Sequence, residues 1–166
     1  MTPTRAALIR ESWAAVEPIA DDAARLFYGR LFEVDPGIAQ LFHHADMDKQ
    51  RMVLMQTLSV VVDNVDRLDR LMPEVEALGR RHAGYGAAPE YFPIVGSALL
   101  WTLERGLGDA FTDETAHAWA DAYRRLSSSM IEAARQAQAR AALPRRRRWR
   151  GPAPLPLGLA TGSVST

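Results

Sequence analysis

Cysteine is absent from this chain, which removes disulfides, thiolate metal sites, iron–sulfur clusters and cysteine nucleophiles. Any metal chemistry is therefore left to His, carboxylate, Met or Tyr. Within "EVEALGRRHAGYGAAPEYFPIVG", Val75, Leu78 and His82 fall at i, i+3 and i+7, so the imidazole of His82 lies on the stripe that a helix buries. An imidazole in such a place titrates near pH ~6.5 and brings two polar nitrogens that need partners or a metal. Two readings follow. His82 is either a core histidine satisfied by neighbouring polar groups, or the axial ligand of a haem iron, where one imidazole suffices because the porphyrin supplies the equatorial nitrogens. Spacing alone does not choose between them.

Two further polar side chains lie on apolar stripes. Tyr28 sits between Phe27 and Leu31, and Gln50 opens the inward face of its helix. Each needs a partner when buried. A diatomic ligand that takes on negative charge would be an acceptor for both, each donor contributing roughly 1 to 3 kcal/mol in a dry pocket. The plainer reading has Tyr28 bonding a backbone carbonyl and Gln50 facing water. His43 and His44 are expected in a surface turn and His117 on the outer face of the last helix. Met52, Met55, Trp13 and Trp119 read as core filling.

The elements that must position these groups are all helical. Thr4 to Ala20 carries Ala7, Leu8, Trp13, Val16 and Ile19 near helical spacing, with Thr4 placed to cap it. A second helix opens at Asp21 and Asp22, turns Ala24, Phe27, Tyr28 and Leu31 to one side, and stops before Pro36. "PGIAQLF" is one short helical turn. Met47 to Val65 puts Gln50, Val53, Leu54, Thr57, Leu58 and Val61 on one side. Met72 to His82 follows, stopped by Gly84 and Gly86. Pro89 to Leu107 faces Val95, Leu99, Leu100 and Leu103 inward. Thr112 to about Ala142 is capped by Thr112 or Asp113 and buries Ala118, Trp119, Ala122, Leu126, Met130 and Ala133. "SVVVDNV" has the composition of a strand and is helical only by context.

At 166 residues the chain suits one domain, and 48% apolar residues suit a globular one. No stretch is long and apolar enough for a membrane span, and the N-terminus shows no secretory signal, so a cytoplasmic protein is expected. Residues 1–143 hold 15 Lys and Arg against 20 Asp and Glu, a net charge of −5 that speaks against nucleic-acid binding by the folded part. Residues 144–166 hold five Arg, no acid, and then Pro, Gly and Ser, which reads as a disordered tail. No Walker loop, dinucleotide glycine motif or internal repeat is present.

Four stretches in order, "LFYGRLFEVDPGIAQLF", "KQRMVL", "LGRRHAGYGAAPEYFPIVG" and "LGDAFTDETAHAWADAY", resemble the globin family. The resemblance covers roughly residues 4–136 and is narrower to bacterial single-domain haemoglobins and the globin portion of flavohaemoglobins. It implies six to seven helices in a three-over-three sandwich over residues 1–143, with one haem b in its pocket. It makes His82 the proximal iron ligand, four residues after Leu78, with the other ring nitrogen donating to a carbonyl one turn earlier. Phe42 is implied to pack flat on the haem, Tyr28 and Gln50 to be the distal pair, and Leu54 to cover the iron.

The chain also departs from that pattern. The tyrosine and glutamate that flavohaemoglobin-type globins direct at the proximal histidine align with Phe92 and Ala134, and Tyr91 and Glu132 lie about 100° and 200° away around their helices. Without that carboxylate His82 is a weaker electron donor, less suited to peroxidase-like chemistry. The expected function is reversible binding of dioxygen for storage, delivery or buffering, with NO and CO as further ligands. The alternatives are a nitric oxide dioxygenase served by a separate reductase, and a haem-based gas sensor or interaction protein that uses the basic tail to contact a membrane or nucleic acid.

Overall fold

The computed structural model describes residues 1–143; the stretch from Pro144 onward, read above as a tail, lies outside the described residues. Seven α-helices carry the described chain: α1 (Pro3–Val16), α2 (Ala20–Val34), α3 (Pro36–Leu41), α4 (Met47–Asp63), α5 (Met72–Gly84), α6 (Tyr91–Leu107) and α7 (Asp113–Ala142). The stretch with strand-like composition is helical, as its context demands.

Local chemistry sets the boundaries. Thr2, rather than the expected Thr4, caps α1 by accepting from the Arg5 amide, and Thr112 caps α7 through the Thr115 amide. The first helix does not run to Ala20. It gives way to a 3-10 turn at Glu17–Ile19, because Pro18 cannot donate to the α-helical ladder, and Ile19 ends 39% exposed instead of inward. Asp35 caps the six-residue α3 through the Gly37 amide at 2.8 Å. Gly86, at φ +90°, closes α5: its amide bonds Ala83 O and the Ala87 amide bonds His82 O, the paired bonds of a glycine C-cap.

Helices α1, α4 and α5 form one layer and α2, α6 and α7 the other. The main cross-layer packings are α5 on α7, α1 on α7 and α2 on α4. Ile9, Trp13, Val16, Phe27, Leu31, Leu99, Leu103, Ala118 and Trp119 meet in the core. Trp13 and Trp119 stack obliquely at 6.0 Å, and both indole N–H groups are satisfied, by Ser59 at 3.1 Å and Ser12 at 2.8 Å. Two close approaches fix the layers: Gly79 lies against the Met130 backbone of α7, and Gly96 against the ring of Tyr123.

Candidate cofactor site

α4 leans on α1 and α2 while α5 leans on α7, so each keeps a face whose side chains are only half-buried. On α4 these include Gln50, Leu54 and Leu58, and on α5 Leu78 and His82. Phe42, at the end of α3, is half-buried and packs against the same core as Leu54 and Leu58.

His82 is held by its own helix. Its Nδ1 lies 2.8 Å from the Leu78 carbonyl oxygen. A carbonyl only accepts, so Nδ1 is the donor, and the neutral ring held this way carries its lone pair on Nε2, as a metal ligand needs. The other three histidines, His43, His44 and His117, are exposed. No group of three or more His or carboxylate side chains suited to a metal occurs among the described residues, so a metal on His82 must bring its remaining ligands with it.

Tyr28 is 8% exposed in the middle of α2. Its ring meets those of Phe27 (5.1 Å), Phe42 (5.6 Å) and Phe32 (5.8 Å), and Phe32 and Phe42 also touch. Phe42 thus joins the aromatic wall around Tyr28. Burial pushes the Tyr28 phenol up to about 12, with the nearby Arg51 charge pulling weakly the other way. It is therefore a protonated donor at any ordinary pH.

Most of the expected inward stripe of α4 is kept, since Gln50, Leu54, Leu58 and Val61 are half-buried. Val53 and Thr57 are exposed, whereas Met47, Arg51, Leu54, Met55, Leu58 and Val62 face the protein. The expected stripe leaves out Arg51, because a hydropathy pattern offers no place for a charged side chain on a buried face. Arg51 is in fact only 15% exposed, it pairs with Asp48, and its Nε is buried without a partner among the described residues. The spacing Met47, Arg51, Met55, with Leu58 and Val62 beyond, was the signal that could have found it.

Phe92 and Ala134 are both half-buried and bring no polar side chain toward His82. Tyr123 donates instead to the Phe92 carbonyl, and burial holds its phenol well above the ordinary range. Glu132 stays at the surface, bonded to Arg135 and Gln136. One imidazole held through Nδ1, with no partner on Nε2 among the described residues, apolar and aromatic walls, and a buried phenol form a donor set that fits a haem.

Comparison with known proteins agrees with this geometry. Residues 25–130 match the family model described as Globin. The flavohemoprotein of Bordetella parapertussis is 31% identical over 144 residues, 86% of this chain and 36% of that protein. The flavohemoprotein of Bacillus subtilis is 34% identical over 107 residues, 63% of this chain and 27% of that one. The chain thus spans about a third of the length of these curated relatives. Among solved structures, a bacterial globin from Campylobacter jejuni superposes with a TM-score of 0.71 at 22% identity, covering 83% of this chain and 99% of that one. An engineered carbene transferase from Rhodothermus marinus gives 0.76 at 22% identity, covering 86% and 99%. Both likenesses concern the fold.

Proposed function

Because the chain belongs to the globin family, we propose that it holds one haem b through His82 and binds dioxygen reversibly, for storage, delivery or buffering in the cytoplasm. The observation that carries this reading is the 2.8 Å contact of His82 Nδ1 with Leu78 O, which supports Nε2 as the ligand atom. When bound, the haem supplies the gas-binding iron. Everything else is work for the chain's own side chains. Leu54, Leu78 and Phe42 present apolar surface that excludes water. Tyr28 and Gln50 present donors to a diatomic ligand that gains negative charge, and the buried phenol keeps its proton because ionising it out of water is costly. On the proximal side, Glu132 is committed to surface partners, so nothing there adds a carboxylate to the His82 hydrogen bond. That favours ligand binding over peroxidase-like chemistry.

A second reading has support in the flavohemoprotein relatives, which the chain matches over about a third of their length. In it the protein oxidises NO with bound dioxygen while a separate reductase restores the ferrous state. Absorption spectra of the ferric, ferrous and CO-bound protein test the haem assignment. Stopped-flow mixing of the oxygenated protein with NO, followed by repeated cycles with a reductase fraction, separates the two readings. Sustained turnover supports the dioxygenase, and a single reaction without turnover supports the carrier.

A further inference from the structure

Arg51 is the feature of this site that the carrier reading leaves unused. It is the only charged member of the inward stripe of α4, among Met47, Leu54, Met55, Leu58 and Val62, and follows directly on Gln50. Its Nε–H is buried without a partner among the described residues, although an unsatisfied donor on a charged group is costly. Its one counter-ion, Asp48, is 86% exposed, so water screens that carboxylate far more than it screens the guanidinium. α4 packs on α2, which carries Tyr28, and the Arg51 charge acts on the buried phenol in the direction that favours its ionised form. A positive charge buried here also runs against the net −5 of residues 1–143.

We propose that Arg51, together with Tyr28, makes the distal pocket selective for small anions, so that the ferric protein binds ligands such as azide and fluoride more tightly than neutral ligands of similar size. This rests on the reading of His82 as the haem ligand. The guanidinium contributes field and an N–H donor from the same side as the phenol, and a small anion satisfies both at once. A purely structural role would differ. As an i,i+3 partner of Asp48, Arg51 would steady the first turns of α4 and leave ligand charge without effect.

The test is titration of the ferric holoprotein with azide, fluoride and neutral imidazole, and of the ferrous protein with CO, in wild type and in Arg51→Gln, Arg51→Lys and Asp48→Asn. Arg51→Gln should weaken azide and fluoride binding by about tenfold or more, while CO and imidazole change by less than about twofold. Arg51→Lys should recover part of the loss. Unchanged anion affinity in Arg51→Gln with an intact Soret band, or equal losses for charged and neutral ligands, would overturn the proposal. Should Arg51→Gln not fold, Arg51→Lys decides: it lacks the Nε–H donor, so azide should bind more weakly than to wild type while CO and imidazole do not change, and a wild-type azide affinity refutes the idea. Asp48→Asn should leave azide within about twofold, because water already screens that carboxylate. Failure of the haem assignment looks different, because the wild type would then show no Soret band at all.

Discussion

Two glycines inside helices should respond to alanine with opposite signs. Gly79 lies on α5, three residues before His82, and a Cβ built there falls 2.4 Å from Met130 O and 2.5 Å from Met130 Cα. These are backbone atoms, so no rotamer change relieves the clash, and the helices must part by about 1 Å to restore contact distances. Overpacking of this kind costs about 1 to 3 kcal/mol. Alanine returns about 0.5 to 1 kcal/mol of helix propensity, leaving Gly79→Ala less stable by up to about 2.5 kcal/mol, centred on ~1 kcal/mol, a fall in Tm of roughly 2 to 4 °C at the centre. Gly29, in the middle of α2, has nothing within 4 Å of the same built Cβ. Gly29→Ala should therefore gain the propensity term alone, about 0.5 to 1 kcal/mol. Thermal and urea unfolding followed by circular dichroism measures both. Because α5 carries His82, Gly79→Ala should also hasten haem transfer to a scavenging apoprotein. Equal stability of the two variants would show that the α5–α7 contact is looser than described and that the argument is wrong.

Replacing Tyr28 with Phe removes one donor worth about 1 to 3 kcal/mol, so dioxygen should leave roughly 5- to 150-fold faster in stopped flow, and an unchanged rate denies Tyr28 its distal role. The same residue sets an alkaline limit. Its native value of about 12 exceeds the ordinary 10.0, so the folded state keeps the phenolic proton after the unfolded chain has lost it. That contribution is whole below pH 10 and is lost as pH rises to 12, so wild type should lose on the order of 2 kcal/mol more than Tyr28→Phe across this window in urea titrations. Tyr123, raised in the same direction by burial, adds to the fall in both proteins.

Helix faces built wholly of apolar residues were legible from spacing. Ala24, Phe27, Tyr28 and Leu31 of α2 are buried as expected, and so are Ala118, Trp119, Ala122 and Ala133 of α7. The expected hydrogen bond from His82 to a carbonyl one turn earlier is present. The stripe of α4 was legible in Gln50, Leu54, Leu58 and Val61 but missed Arg51 for a physical reason: a hydropathy pattern assigns every arginine to water, whereas α4 turns Arg51 inward and leaves Val53, Thr57 and Met52, the last expected in the core, exposed. Helix ends depended on single bonds, and Thr2 is as good a cap as Thr4 until the backbone direction is known. The tight approaches of Gly79 to Met130 and Gly96 to Tyr123 join residues far apart in sequence, so no local pattern encodes them.

The central claim is that His82 Nε2 holds the iron, and the most direct measurement is the absorption spectrum of His82→Gly. His82→Gly should lose the wild-type Soret band and the ferrous and CO-bound spectra, with added imidazole restoring them in part by taking the place of the missing side chain. A His82→Gly protein that kept the wild-type Soret band and ferrous spectrum without imidazole would contradict it.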